Sequence, residues 1–210
     1  MTSFENLSQS VVSGNESQVK ETVKAMLAAG VNPLDVIQQG LIAGMNIVGP
    51  LFKAGEMYVP EVLMSAKSMA AGIEIVKPYI AEGDMPSEGT IIVGTVKSDL
   101  HDIGKNLVAM MLESGGFKVI DLGVDVTAER FIAAVKEHKP DILAMSALLT
   151  TTMLSMKDTI ELIKEEGLQS TVKVIIGGAP ISQDFANEIG ADGFAVDAAS
   201  AVELCRALLA

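Results

Sequence analysis

From residue 90 onward, short apolar runs alternate with longer amphipathic stretches, and no other feature of the chain restricts its fold as much. The runs lie at 91–96, 117–122, 141–146, 172–176 and 193–196. The amphipathic segments lie near 103–115, 127–138, 152–167, 181–189 and 198–209. Largely apolar short runs suit strands buried on both faces, and parallel strands need a helical crossover between them. Residues 90–210 are therefore expected to form an α/β, Rossmann-like (flavodoxin-like) domain, a five-stranded parallel sheet with helices on both faces. No internal repeat is detectable, which argues against a solenoid.

Residues 1–81 carry a different period. Leu7, Val11 and Val12 begin a first helix, broken at Gly14-Asn15, and Val19, Val23, Met26 and Leu27 mark a second that ends at Ala29-Gly30. Asn32-Pro33 opens a third, with Val36, Ile37, Leu41, Met45 and Val48 on one face and an expected end near Gly49-Pro50. Val59-Pro60 opens a fourth, striped by Val62, Leu63, Ala66, Met69, Ile73 and Val76. Four helices with short connections predict a bundle. Residues 82–89 lack periodicity and are rich in turn formers, so the linker is expected there.

Chemistry concentrates in Lys97-Ser98-Asp99-Leu100-His101-Asp102-Ile103-Gly104-Lys105-Asn106, between the first strand and its helix. Open α/β sheets bind ligands at the carboxyl ends of their strands. His101 is one of two histidines, and a neutral imidazole is a good transition-metal ligand. Asp99, two residues earlier, can fix its tautomer by accepting the other ring N–H. Gly104 lets a flat group approach the backbone. Taken alone, the pair also fits a surface histidine beside a turn aspartate. One His with one or two Asp is too few for a closed zinc site, and a lone protein ligand suits a metal that arrives inside a macrocycle.

Two more loops leave the same sheet edge. Ser146-Ala-Leu-Leu-Thr-Thr-Thr152 offers four hydroxyls, and Gly177-Gly178-Ala179-Pro180 removes side chains to leave a slot, although taken alone the glycines are better explained by a tight strand-to-helix turn. His138 reads as a solvated helix end and Cys205 as core or interface. The net charge of −12, with no Lys/Arg cluster, argues against nucleic acid as a partner. No apolar run is long enough to span a membrane, the N-terminus lacks the order of a signal peptide, and a single cysteine fits a reducing compartment. A cytoplasmic protein without a membrane partner is expected.

These motifs together resemble the corrinoid (cobalamin, vitamin B12) proteins of methyltransferase systems, including the methanol and methylamine corrinoid proteins and the B12-binding region of methionine synthase. Val96 to Asn106 matches the family signature, and Ser146-x-Leu148 and Gly177-Gly178 match its second and third motifs. Gly44-Met45-x-x-Val48-Gly49-x-Leu51-Phe52-x-x-Gly55-Glu56-Met57-x-Val59-Pro60-Glu61-Val62 matches its helical cap.

The resemblance implies that His101 replaces the dimethylbenzimidazole of cobalamin as lower cobalt ligand. Asp99 would bond His101, and Thr152 would stand at the linked hydroxyl position. It implies a cofactor site of Asp99, His101, Asp102, Ile103, Gly104, Ser146, Leu148, Thr150, Gly177 and Gly178, with Phe52 and Val59 shielding the upper corrin face. Val59 is smaller than the Leu often found there. The implied function is a methyl carrier cycling between cobalt(I) and methyl–cobalt(III). Its implied partners are a donor-specific methyltransferase, an acceptor methyltransferase using tetrahydrofolate or a thiol, and a reductive activation protein. Rival readings are a cobalamin-dependent sensor, which normally adds an output module, and the small subunit of a B12-dependent mutase, which usually lacks the bundle. A cofactor-free receiver-like module is the fourth.

Overall fold

A computed structural model describes residues 3–80 and 86–210. Residues 82–85 of the expected linker therefore lie outside the described residues. The chain divides into two compact units, Met1–Ser87 with Ser114–Gly116, and Glu88–Glu113 with Phe117–Ala210.

The first unit is helical. It comprises α1 (Phe4–Val12), α2 (Glu16–Ala28), α3 (Pro33–Asp35), a π-helical segment (Val36–Ile42), α4 (Ala43–Lys53) and α5 (Val59–Val76). Starts are set by side-chain caps. Ser3, Asn15 and Asn32 accept the N–H groups of Asn6, Gln18 and Leu34, with Pro33 at the first helical position. Leu7, Val11, Val19, Val23, Leu41, Val48 and Val62 are fully buried between the helices. Close approach depends on glycine. A Cβ at Gly40 would lie 2.4 Å from Leu7, and one at Gly44 would lie 2.6 Å from Val11.

The expected end of the third helix at Gly49-Pro50 is corrected. Pro50 lies inside α4, which continues to Lys53. Proline there removes one N–H bond but does not turn the chain. The stop comes at Gly55, whose φ of +74° lets the Glu56 N–H return to the Leu51 carbonyl at 2.9 Å.

The second unit holds β1 (Thr90–Thr95), β2 (Lys118–Asp121), β3 (Ile142–Ser146), β4 (Lys173–Gly177) and β5 (Gly193–Ala195). They alternate with α6 (Ile103–Ser114), α7 (Ala128–His138), α8 (Leu154–Glu165), α9 (Gln183–Ile189) and α10 (Ala198–Leu209). The sheet is parallel throughout, in the order β2-β1-β3-β4-β5. One face buries Ile92, Leu143, Met145, Val174 and Ile176 against Phe131, Met156 and Ile160 of α7 and α8. The alternate residues Ile91, Val93, Ile142 and Ile175 are equally buried, as strands covered on both sides require.

Register aligns the carboxyl ends. Thr95 pairs with Ser146, Ser146 with Gly177, and Gly177 with Ala195. All three loops singled out from the sequence leave this one row.

Candidate functional site

The chain leaves β1 for β2 on one side and enters β3 on the other, so the crevice between the β1 and β3 loops is the topological switch point of the sheet. Asp99 lies there with no solvent exposure. Its Oδ1 accepts the His101 backbone N–H at 3.1 Å and faces His101 Nδ1 at 2.7 Å. Its Oδ2 accepts the N–H groups of Leu148 at 2.7 Å and Leu149 at 3.3 Å, and lies 2.8 Å from the Thr152 hydroxyl. One carboxylate therefore ties the β1 loop to the β3 loop.

Burial pushes the Asp99 carboxyl up. The bonds from the Leu148 and His101 N–H groups, the His101 ring and the Thr152 hydroxyl outweigh it, holding the group well below the ordinary carboxylate range. An ionised Asp99 fixes the His101 tautomer, because Nδ1 must carry the proton that Oδ1 accepts. Nε2 then keeps its lone pair, and the ring is 50% exposed. Thr95, buried beneath, donates its hydroxyl to the His101 carbonyl at 2.8 Å. Both backbone polar groups of His101 are thereby held.

The structure brings Asp99, His101, Leu148 and Thr152 into one network, with Ser146 one residue before it on β3. Gly177 lies beside Ser146 in register. Gly178, at φ +131°, sits so close to the next turn that a Cβ would come within 1.9 Å of the Ala147 carbonyl oxygen. Asp102 and Ile103 are exposed at the start of α6. A Cβ at Gly104 would meet nothing within 4 Å, so open space lies above it. Thr150 is exposed on the β3 loop and enters none of these bonds.

The rest of the 97–106 motif is structural. Lys105 is buried and pairs with Asp121 of β2, and the Asn106 amide reaches Asp102 at 3.1 Å. Thr95 and Asp125 were not legible as site residues. Their bonds cross 6 and 27 residues of sequence, and no local pattern announces them.

Leu100, Ile103, Leu148, Leu149, Leu154 and Val196 are the six large apolar side chains described as exposed in the second unit. Every one stands at the carboxyl edge, where an apolar rim surrounds a half-exposed imidazole.

Comparison with known proteins decides which family builds such an edge. A family model described as a B12 binding domain matches residues 89–205, and a second of that description matches 3–77. The chain belongs to the B12-binding corrinoid proteins of methyltransferase systems. It is 44% identical to a corrinoid protein of Desulfitobacterium hafniense, covering 100% of this chain and 98% of that one. It is 48% identical to dimethylamine corrinoid protein 1 of Methanosarcina acetivorans over 85% of this chain and 84% of that one. Among solved structures, the methanol:cobalamin methyltransferase complex MtaBC of Methanosarcina barkeri matches with TM-score 0.87 and 35% identity, covering 98% of this chain and 79% of that chain.

Cobalamin is the cofactor of this corrinoid protein, and the residues present fit it. The apolar rim suits the edge of a macrocycle, the space above Gly104 leaves room for a flat ring, and Nε2 of His101 offers one nitrogen. Among the described residues no cluster of three metal-ligating side chains competes for the metal, and no helix is long and apolar enough to cross a membrane.

Proposed function

We propose that this corrinoid protein is a methyl carrier, receiving a methyl group from a donor-specific methyltransferase and delivering it to an acceptor methyltransferase that uses tetrahydrofolate or a thiol. The observation that carries the reading is the His101 ring, half-exposed with Nδ1 committed to a buried carboxylate. When bound, cobalamin supplies a cobalt centre whose reduced form is a strong nucleophile toward methyl groups. His101 would hold the metal through Nε2, the ring nitrogen that Asp99 leaves unengaged. Asp99 would keep the His101 ring oriented by accepting its Nδ1–H. Thr152 lies 2.8 Å from both Asp99 Oδ2 and the Leu149 carbonyl, so its one proton can follow the charge at Asp99. Ser146, Leu148, Thr150, Gly177 and Gly178 would accommodate the nucleotide tail of cobalamin, and Asp102, Ile103 and Gly104 would border its ring.

The names of the relatives order the donors to be tested, dimethylamine and trimethylamine before methanol. A reductive activation protein completes the partner set. The loaded protein is expected to accept methyl groups when mixed with one of the matching donor methyltransferases, read as the spectral change of bound cobalamin. Failure with every donor enzyme of the methylamine and methanol classes overturns the carrier reading.

Phe52, in the last turn of α4, and Val59, first in α5, have a shielding role that rests on the family resemblance. Phe52→Ala is expected to bind cobalamin normally and to photolyse several-fold faster in its methylated form. An unchanged photolysis rate removes Phe52 from that role.

A further inference from the structure

We infer that Asp125, between β2 and α7, is a positioning residue for the Asp99–His101 pair, latching the turn from which both side chains project. The inference rests on the reading of His101 as the cobalt ligand.

Two non-glycine residues here adopt the left-handed conformation, Ser98 at φ +65° and Asp125 at φ +53°. Aspartate tolerates that region and serine does so reluctantly. They are held by each other's loop. The Ser98 N–H donates to Asp125 Oδ1 at 2.7 Å, and the Asp125 N–H donates to the Asp99 carbonyl at 3.0 Å. Asp125 therefore grips both ends of the Ser98–Asp99 unit.

The platform behind the latch is rigid. The Thr95 N–H bonds the Gly123 carbonyl at 2.9 Å, the Val126 N–H bonds the Thr95 carbonyl at 3.0 Å, and Val96 bridges Val126. These contacts extend the β1 edge by one rung and bring Asp125 against the turn.

The consequence falls on aim. Asp99 meets five partners on two loops only if its Cα is correctly placed, and His101 follows two residues later. A relaxed Ser98 would rotate the 98–99 peptide and swing the carboxylate off the Leu148 and Thr152 donors. Backbone strain kept beside a functional group marks such pre-organisation.

The test compares Asp125→Asn, which keeps the acceptor and tolerates the left-handed backbone, with Asp125→Gly, which keeps the backbone and loses the acceptor. Full-length protein is loaded with cobalamin, reduced to cobalt(II) and read by electron paramagnetic resonance for histidine-nitrogen splitting. Hydrogen exchange of the Ser98 amide is followed in the cofactor-free protein. Asp125→Gly is expected to lose protection at Ser98, to show a reduced share of histidine-ligated cobalt, and to bind cobalamin about tenfold more weakly, the low end for groups that support a ligand from behind. Asp125→Asn is expected to match wild type.

Ser98→Gly combined with Asp125→Gly is expected to regain histidine ligation, because glycine holds the turn without a latch. A merely structural role predicts no such rescue. Asp125→Gly with wild-type splitting, loss in Asp125→Asn as well, or absence of rescue each overturns the latch. Wild-type protein without the splitting, or His101→Ala that keeps it, overturns the ligand reading instead.

Discussion

Asp99 is fully buried, which disfavours its charge, yet its hydrogen-bond partners together favour the charged form. Five donors converge on two oxygens, which is why its proton affinity falls despite burial. Asp99→Asn presents an amide where two N–H donors already point, so a donor faces donors. The variant is expected to retain His101 in a misaligned ring and to lose about 10–100-fold in cobalamin affinity or transfer rate.

The pH dependence follows from the direction of the shift. A carboxylate held below its unfolded value near 3.8 adds stability that is complete above that value and is lost as pH falls through the lower, folded one. Acid titration of the cofactor-free protein below about pH 4 is therefore expected to be shallower in Asp99→Asn than in wild type. Coincident acid limbs would show that Asp99 contributes nothing.

Gly104 gives a prediction of opposite sign for folding and binding. Alanine there meets open space and improves helix propensity by up to about 1 kcal/mol. Thermal stability without cofactor is expected to hold or rise while cobalamin affinity falls. Unchanged affinity would show that the ring does not pass over Gly104.

Much of the site was legible at this scale because the signal was local. Asp99, His101 and Gly104 sit within six residues of one another, in a loop whose flanking periods are unambiguous. Thr152 was reached only through family resemblance, since its bond to Asp99 spans 53 residues. Asp125 and Thr95 were invisible. Their work is done on backbone N–H and carbonyl groups, which every residue carries and no sequence pattern marks.

At the scale of elements, strands were easier to find than helix ends. Buried parallel strands announce themselves as continuous apolar runs, and all five runs became strands within a residue or two at each end. The Gly49-Pro50 pair misled because proline reports a missing donor, whereas termination depends on where a residue can turn left-handed. That residue is Gly55. The π-helical stretch Val36–Ile42 has no sequence signature at this length, and its apolar spacing reads as ordinary helix.

Packing between α1 and α4 tests the role of the small residues. Alanine at Gly44 places its Cβ 2.6 Å from Val11 and 2.9 Å from the Ser8 carbonyl. Overpacking of this kind costs about 1–3 kcal/mol, against a helix-propensity gain of about 1 kcal/mol. Gly44→Ala is expected to lower the melting temperature of the helical unit by a few degrees in circular dichroism, and an increase would show that α1 yields freely.

At the scale of the whole molecule, each unit follows from its own period, helical before the linker and alternating after it. The order β2-β1-β3-β4-β5 puts the reversal of the sheet between the loops that carry Asp99 and Thr152, so a binding crevice is a consequence of topology before any side chain is chosen. The acidic net charge of −12 describes a surface unsuited to phosphate backbones.

His101, oriented by Asp99, is proposed to supply the protein nitrogen that binds cobalt. The most direct test is electron paramagnetic resonance of the cobalt(II) state in protein grown with nitrogen-15 histidine and loaded with unlabelled cobalamin. A histidine ligand predicts that the nitrogen splitting changes from a triplet to a doublet on labelling and disappears in His101→Ala. A triplet that persists in the labelled protein would leave the benzimidazole on the metal and contradict the account.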